Sequence, residues 1–249
     1  MTDKAATTTS DRSAVRCEEL SRRYGEGETA VDAVDGVSLD FPTGQLTSIV
    51  GPSGSGKSTL MHVLAGLDRP TAGRAWVDGT EITSLGDSAL TELRRDKLGF
   101  IFQFFNLIPV LDAEENVTLP MRIAGRSADP EWLERLLETV GIADRRSHRP
   151  AELSGGQQQR VAIARALISK PAVVFADEPT GNLDSTSSSQ VLELLRRSVD
   201  ELGRTVVVVT HDSRVASYAD RVVLLVDGKI ETDTTVTDED QVLELMRSA

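Results

Sequence analysis

Three uninterrupted apolar runs dominate the hydrophobic pattern of the chain. They are "LTSIVG" at 46–51, "AVVFADE" at 172–178 and "TVVVVTH" at 205–211. Continuous runs of this length are typical of strands buried on both faces, which favours a parallel sheet in an α/β fold. Residues 15–82 show a different pattern of short strands with turn signals, where "WVDGTEI" predicts two strand ends around an Asp-Gly turn. All of these runs are far too short to span a membrane.

Helical signals dominate the middle of the chain. "DSALTELRRDKL" has Asp87 as a candidate N-cap, and "DPEWLERLLETVG" has Asp129 as cap, Pro130 at the first helical position and Gly141 as the stop. The second segment carries its apolar residues on one face, and we expect them to be core residues: Trp132, Leu133, Leu136, Leu137 and Val140.

The patterns together predict one domain over 13–235. Its core comprises 13–86 and 159–235, and a helical subdomain, 87–158, is inserted between them. We expect residues 1–12 to form a disordered tail, and 236–249 to form a C-terminal tail with a short amphipathic helix at "QVLELMRSA".

Composition narrows the class of protein. The chain has 249 residues, with 27 basic against 39 acidic residues and a formal net charge of -12. No cluster of positive charge is evident, so we expect no nucleic-acid partner. The single cysteine, Cys17, cannot form an internal disulfide and fits a reducing compartment. Residues 1–12 lack the apolar segment of a signal peptide, so the sequence predicts a cytoplasmic chain that acts at a membrane only through a partner.

A glycine-rich loop supplies the first candidate chemistry. "GPSGSGKST" at 51–59 fits G-x-x-x-x-G-K-[ST] between a predicted strand and a predicted helix, a context that an ordinary glycine turn lacks. Its backbone amides and the helix N-terminus would surround phosphate oxygens. Lys57 would bridge the β- and γ-phosphates, and the Ser58 hydroxyl would ligate Mg²⁺. The predicted nucleotide contacts are Gly51, Ser53, Gly54, Ser55, Gly56, Lys57, Ser58 and Thr59.

Two acids follow the buried run at 172–178. Asp177 has the position of the acid that holds Mg²⁺, and Glu178 could orient or deprotonate an attacking water. Adjacent acids at a strand end commonly form only a solvated turn. The nearby phosphate loop favours the catalytic interpretation, since ligands bind at the carboxyl ends of strands in open α/β sheets.

A second glycine-rich helix start, "AELSGGQQQRVAIARAL", lies at 151–167. Ser154 is a candidate N-cap, and the Gly155 and Gly156 amides lie at the same helix start, which favours an anion. With these motifs in this order, the sequence resembles the ATP-binding subunits of ABC transporters over about residues 15–230. "LSGGQ", which ends at Gln157, matches the signature of that family.

The resemblance implies a fold and several residue roles. The fold would be a P-loop NTPase core with a mainly parallel sheet, an N-terminal antiparallel β subdomain and an inserted α-helical subdomain. Tyr24 matches the aromatic residue that stacks on adenine, and Gln103 matches the glutamine that joins the metal and water site to the helical subdomain. Asp184 matches the loop aspartate after the second acid motif, and His211 matches the histidine that touches the γ-phosphate. Taken alone, Tyr24 is more often a packing residue, His211 at a strand end is more often a turn residue, and Gln103 carries no information.

The resemblance also implies a homodimer held together by ATP. Two copies would pack head to tail, and the signature of each copy, Ser154, Gly155, Gly156 and Gln157, would close on the Mg-ATP bound by the other. Lys57, Ser58, Gln103 and Asp177 would hold that Mg-ATP. Hydrolysis by a water that Glu178 and His211 orient would remove the bridge and open the dimer.

The segments "FIFQFFNLIPVLDAEENVTLPM" and "ADEPTGNLD" resemble the MacB/LolD/FtsE-type ATPases. This subgroup implies a permease of the MacB/FtsX type as partner, with the chain peripheral on the cytoplasmic face of the membrane. The permease would dock near 103–121, although the apolar residues there could instead be core of the helical subdomain: Phe104, Phe105, Leu107, Ile108 and Val110. Gln45 and "LDAEENV" depart mildly from the family pattern, and the second departure lies where the permease would dock.

Two other functions compete with the transporter ATPase. A soluble ABC-type ATPase acting on DNA or ribosomes usually carries long coiled coils, zinc modules or two cassettes in one chain, and none of these is evident in the sequence. A P-loop kinase of small molecules would leave the signature without a role. We therefore expect an ATPase that uses ATP and Mg²⁺ and drives a membrane permease.

Overall fold

The computed structural model describes residues 13–236 and 238–247, which form two sheets, eight α-helices and three short 3-10 helices. The strands are β1 (Ser13–Tyr24), β2 (Val31–Pro42), β3 (Leu46–Val50), β4 (Ala72–Val77), β5 (Thr80–Glu81), β6 (Leu98–Phe102), β7 (Val173–Asp177), β8 (Thr205–Val209), β9 (Arg221–Val226) and β10 (Lys229–Thr235). The helices are α1 (Lys57–Leu64), α2 (Asp87–Lys97), α3 (Ala113–Ile123), α4 (Pro130–Thr139), α5 (Gly155–Leu167), α6 (Ser185–Asp200), α7 (Ser213–Ala216) and α8 (Glu239–Arg247).

The larger sheet has six strands in the order β10-β9-β3-β8-β7-β6. All its neighbouring strands are parallel except the β9–β10 hairpin. Every residue of β3 and β8 is buried, as expected for strands covered on both faces. The predicted parallel sheet is therefore confirmed, and the carboxyl ends of β3, β7 and β8 lie at one edge.

The smaller sheet is antiparallel, in the order β2-β1-β4-β5. Asp78 and Gly79 connect β4 to β5 with φ angles of 45° and 78°, and two successive positive φ angles are typical of a type I′ hairpin turn. This confirms the turn that "WVDGTEI" predicts. The sheet, α1 and one face of the larger sheet share a core that contains Phe41, Leu60 and Phe175.

A second core covers the other face of the larger sheet. It joins α4, α5 and α6 through Leu137, Ile163 and Leu195 to strand residues such as Val208. Adjacent residues of β3 serve the two cores, because Ile49 packs in the first and Val50 in the second. The predicted α/β architecture, with a mainly parallel sheet, an antiparallel β subdomain and inserted helices, is confirmed.

The α4 signals are confirmed in detail. Asp129 caps the helix and accepts a hydrogen bond from the Glu131 amide, Pro130 is the first helical residue, and Gly141 follows the helix with φ 69°. The apolar face that contains Trp132 is buried or half-buried.

The prediction for α2 was wrong at its start, since Gly86 is the N-cap and Asp87 is the first helical residue. A wholly helical insertion over 87–158 does not describe the structure either, because β6 belongs to the six-stranded sheet beside β7. Helix α2 leads directly into β6, so no loop separates them.

The predicted C-terminal helix corresponds to α8. The predicted disordered tail, 1–12, lies outside the described residues. Over the part of the chain that the structure describes, no helix combines the length and the apolar character needed to cross a membrane.

Candidate functional site

The glycine-rich loop lies between β3 and α1 and is closely packed against neighbouring backbone. Gly51 and Gly56 have φ angles of 149° and 99°. A Cβ atom would lie 2.0 Å from the Leu225 carbonyl oxygen at Gly51 and 1.9 Å from the Ala33 carbonyl oxygen at Gly56. Only glycine fits at these two positions, and the loop is thereby wedged between β2 and β9.

The loop fits a phosphate group. Lys57 Nζ donates to the carbonyl oxygens of Gly51 and Pro52, at 2.9 and 2.7 Å. Burial lowers the pKa of the Lys57 ammonium, against the opposing effect of Glu178 and Asp177. Ser55 Oγ is buried and has no hydrogen-bond partner among the described residues. A phosphate oxygen could accept hydrogen bonds from both groups. The Lys57 ammonium now donates to carbonyl oxygens of the loop, and the buried Ser55 hydroxyl is unpaired.

The remaining predicted contacts follow this loop. Ser53 and Gly54 are exposed at its tip, and Thr59 is half-buried in the first turn of α1. Ser58 Oγ is exposed and lies 3.2 Å from Asp177 Oδ1 at the end of β7. Burial raises the pKa of the Asp177 carboxyl. A hydroxyl and a carboxylate at this separation are oxygen ligands of the kind that Mg²⁺ prefers next to nucleotide phosphates, so the pair fits the ion.

Glu178 lies one residue beyond β7, and the end of β8 holds its carboxylate. The carboxylate accepts hydrogen bonds from Thr210 Oγ1 and the His211 amide, each at 3.1 Å. His211 Nδ1 lies 2.6 Å from Glu178 Oε1. The Glu178 side chain is 20% exposed and that of His211 is 71% exposed. The structure thus brings the two predicted catalytic side chains into direct contact, where water can reach the pair.

Gln103 lies after β6 and contacts the loop that follows Glu178. Gln103 Nε2 lies 3.4 Å from Asn182 Oδ1, and Asn182 Nδ2 donates to the Gln103 carbonyl oxygen at 2.9 Å. The hydrogen bonds of Gln103 therefore go to Asn182 and not to Ser58 or Asp177. The predicted metal contact would require the Gln103 side chain to move.

The signature forms the start of α5 as predicted. Ser154 caps the helix, and a reciprocal pair of hydrogen bonds joins it to Gln157, at 2.9 and 3.3 Å. A Cβ atom on Gly156 would lie 2.8 Å from Ser187 Oγ of α6. Ser154 is exposed and Gly155 is half-buried, so surface remains for a ligand. Within the described residues, no hydrogen bond joins 153–157 to the phosphate loop.

Asp184 caps α6 beside the signature. Its carboxylate accepts hydrogen bonds from the Thr186 and Ser187 amides and from Ser187 Oγ. These bonds lower the pKa of the Asp184 carboxyl, with the Ser187 hydroxyl contributing most. Asp184 thus positions Ser187 against Gly156, which ties the start of α6 to the start of α5.

Two residues of α5 connect the motifs to each other, and sequence reasoning missed them. Gln159 is fully buried and donates to the carbonyl oxygens of Pro179 and Phe102. Arg165 donates to the carbonyl oxygens of Phe105 and Asn106, which have positive φ angles of 58° and 50°. A signal was available only for Arg165, which is the one polar residue in the apolar run "VAIARAL", whereas Gln159 lies in the polar run "QQQR" and does not stand out.

Tyr24 lies at the end of β1, directly opposite Val31 of β2. Both side chains are exposed, at 41% and 62%. Opposed side chains of an antiparallel pair lie on the same face. Because Ala33 abuts Gly56, this apolar pair lies near the phosphate loop.

The apolar residues after Gln103 divide between core and surface. Leu107 packs against the second core. Phe104, Ile108 and Val110 are exposed, at 73%, 41% and 71%. A cavity of about 370 Å³ lies between α2, β6, α3 and α5, and Asn106 of the same segment contributes to its lining, which also includes Arg94, Arg95, Phe100, Phe102 and Arg165.

Comparisons with known proteins agree with this geometry. The family model described as "ABC transporter" matches residues 34–181. The chain is 48% identical over 217 residues to the lipoprotein-releasing system ATP-binding protein LolD of Geobacter metallireducens, which covers 86% of this chain and 96% of that protein. It is 46% identical to the macrolide export ATP-binding/permease protein MacB of Marinobacter nauticus, over 90% of this chain and 35% of that protein.

A solved structure is also similar. It is the dimeric structure of a post-hydrolysis state of the ATP-binding cassette MJ0796, bound to ADP and Pi, and MJ0796 is a protein of Methanocaldococcus jannaschii. The TM-score is 0.78 at 44% identity, over 89% of this chain and 98% of that one.

Proposed function

Because the chain belongs to the ABC transporter family of ATP-binding proteins, we propose that it is the ATP-hydrolysing subunit of a membrane transporter, in which two copies close head to tail on ATP. One observation carries this proposal. The Glu178 carboxylate is held at the carboxyl end of β7, one residue beyond the Asp177–Ser58 pair that adjoins the phosphate loop. A candidate base, a candidate metal site and a candidate phosphate-binding loop therefore lie at one edge of the sheet.

Nucleotide binding begins at the phosphate loop. The β- and γ-phosphates would replace the loop carbonyl oxygens as hydrogen-bond acceptors of Lys57 Nζ. They would also accept a hydrogen bond from the unpaired Ser55 hydroxyl. Ser58 and Asp177 would hold Mg²⁺, which neutralises phosphate charge and orients the leaving group. The adenine base would stack on the exposed Tyr24 ring.

Hydrolysis would use Glu178 as the base. Its carboxylate is already ordered by Thr210 and the His211 amide, so it can accept a proton from a water without first losing conformational freedom. His211 would orient the same water and contact the γ-phosphate. Gln103 would leave Asn182 and complete the site when ATP is bound.

The second half of the site would come from a second copy. The helix start places the exposed Ser154 and the half-buried Gly155 at the positive end of α5, which favours an anion. The γ-phosphate bound by one chain would supply that anion to the other. The dimeric form of the similar MJ0796 structure, with ADP and Pi bound, supports this arrangement.

The membrane partner would dock at the surface formed by Phe104, Ile108, Val110 and the adjacent cavity. This surface, hereafter the docking surface, exposes apolar side chains, and the lining of its cavity is mostly apolar and includes three arginines. An apolar cytoplasmic segment of a permease would complement the exposed apolar side chains of this surface. We propose a permease of the MacB/FtsX type, with the chain peripheral on the cytoplasmic face. The names of the LolD and MacB relatives support this choice, although the chain spans only 35% of the MacB protein.

The substitution Glu178→Gln tests the catalytic part. Removing the base should lower steady-state ATP turnover about a hundredfold or more, while Mg-ATP still binds because the phosphate loop is unchanged. Phosphate release and equilibrium binding of labelled ATP measure the two effects. The matched control is Glu193→Gln on the exposed face of α6, which should turn over ATP at the wild-type rate. Turnover of Glu178→Gln within severalfold of wild type would show that Glu178 is not the base.

A further inference from the structure

Three side chains connect the antiparallel sheet to the far end of α1, and sequence reasoning assigned a role to only one of them. They are Arg22, Tyr24 and Asp68. We propose that Asp68 and Arg22 are positioning residues that fix the Tyr24 ring for stacking of the nucleotide base. The inference rests on the proposed function, because it assumes that a nucleotide occupies the phosphate loop.

The contacts restrain the ring at two places. One carboxylate oxygen, Asp68 Oδ2, accepts hydrogen bonds from Tyr24 Oη at 2.7 Å and from Arg22 Nε at 2.9 Å. The Arg22 guanidinium carbon also lies 4.4 Å from the centre of the Tyr24 ring. The ring is therefore held by its hydroxyl and by a cation at one face, and Tyr24 remains 41% exposed for a base.

Asp68 connects the Tyr24 ring to α1, the helix that begins at the phosphate loop. The Asp68 amide donates to the His62 carbonyl oxygen near the end of α1, the helix whose first residue is Lys57. The Arg69 amide donates to Asp68 Oδ1, so both carboxylate oxygens are engaged. A side chain anchored to α1 thus sets the position of a ring on β1, and α1 itself starts at the phosphate loop.

The groups around Asp68 keep its carboxyl ionised, so that it can accept hydrogen bonds. Burial opposes ionisation of Asp68, but the hydrogen bonds from Tyr24 and Arg69 and the positive charge of Arg22 outweigh it and hold the pKa of the Asp68 carboxyl below its usual value. Asp68 therefore stays ionised at neutral pH and can accept both bonds.

Preorganisation gives this arrangement a measurable consequence. An unrestrained tyrosine would lose rotamer freedom when a base stacks on it, whereas a ring that is already fixed loses little. Loss of the restraint should therefore weaken binding of a nucleotide that carries a base and leave binding of the phosphates alone unchanged.

The test compares Mg-ADP with Mg-pyrophosphate by calorimetry on the full chain. Neither ligand is turned over by the hydrolysis proposed above. Tyr24→Phe keeps the ring and removes only the hydroxyl, and Asp68→Ala removes the acceptor. We expect Tyr24→Phe to bind ADP about fivefold more weakly, the effect of one hydrogen bond, and Asp68→Ala to lose at least as much because it also releases Arg22, with pyrophosphate affinity unchanged in both. The double variant should lose no more than Asp68→Ala alone, since the hydroxyl that Tyr24→Phe removes has no acceptor once Asp68 is gone.

Arg16→Gln supplies the matched control. Arg16 lies 4.4 Å from the Trp76 ring on the same sheet, an equivalent cation–ring contact that does not involve Tyr24 or Asp68. Its ADP affinity should equal that of wild type. Unchanged ADP affinity in both test variants, equal losses for ADP and pyrophosphate, additive losses, or a loss in Arg16→Gln would each overturn the inference.

Two reference measurements separate this inference from the proposed function. If wild type binds neither ligand, the phosphate loop is not a nucleotide site and both proposals fail. If wild type binds ADP more tightly than pyrophosphate, and Tyr24→Ala removes that difference, the base stacks on Tyr24. Unchanged ADP affinity in Asp68→Ala and Tyr24→Phe would then contradict the positioning role alone.

Discussion

Glu178 adopts a left-handed backbone conformation, with φ 46°. Residues other than glycine rarely adopt it, and such positions cost about 1–3 kcal/mol each. Here the turn directs the Glu178 amide to the Val209 carbonyl oxygen at 2.9 Å and the carboxylate to Thr210 and His211. The strain is therefore located at the residue proposed to act as the base, and the hydrogen bonds of the strand end offset it.

Cys17 provides a test of packing at the residue scale. It is 2% exposed, its Sγ donates to the Val37 carbonyl oxygen, and burial raises the pKa of the thiol to about 12. At pH 8 the thiolate fraction would be on the order of one in ten thousand. Ellman's reagent should therefore leave the folded chain unmodified and label one thiol per chain in guanidinium chloride. Folded protein that labels as fast as unfolded protein would contradict the packing of β1.

The position of the motifs at predicted strand ends indicated which residues meet around the phosphate loop, because the carboxyl ends of neighbouring parallel strands lie at one edge of the sheet. The proximity of Ser58 to Asp177 follows from that rule. The Asp68–Tyr24 bond joins residues 44 positions apart and leaves no local pattern. The hydrogen bond between Gln103 and Asn182 could not be predicted from the sequence either, because it depends on how two loops pack in three dimensions.

At the scale of elements, continuous apolar runs predicted the strands that are buried on both faces. Strand β6, "LGFIF", was not recognised because α2 ends at Lys97 and β6 begins at Leu98, with no glycine or proline between them. Helix α3 was missed as well. It contains Pro120, a residue that normally argues against a helix interior, and it is stabilised by a capping box between Asp112 and Glu115.

The docking surface can be tested as a unit. A charge at Phe104 should oppose burial of the surface against an apolar partner, so Phe104→Asp should bind at least tenfold more weakly to membrane vesicles. The vesicles would be inverted, prepared from cells that carry this chain, and washed free of peripheral proteins. Binding of the purified chain is measured by flotation.

Ile123→Asp is the control, since Ile123 is equally exposed, at 72%, but lies at the end of α3 outside the docking surface. It should bind like wild type, and wild-type binding should be lost after protease treatment of the vesicles. Equal binding by Phe104→Asp and wild type, or binding that survives the protease, would place the partner site elsewhere.

At the scale of the whole molecule, the chain carries two separate parts of one proposed site. The phosphate loop, Asp177 and Glu178 lie at the carboxyl edge of the six-stranded sheet, and the signature forms the start of α5, where Ser154 is exposed. Residues 153–157 make no hydrogen bond to the phosphate loop in the described chain. A head-to-tail pair would complete two such sites, each containing one phosphate loop and one signature.

Light scattering during size-exclusion chromatography tests the claim that two chains complete this composite site. Glu178→Gln should elute at the monomer mass of 26.9 kDa without nucleotide and at about twice that mass with Mg-ATP, because bound ATP is not cleaved. Adding Ser154→Arg, which blocks the proposed anion site, should leave ATP bound and the chain monomeric. A Glu178→Gln chain that stays monomeric with one ATP bound, or dimers that persist with Ser154→Arg, would contradict the claim.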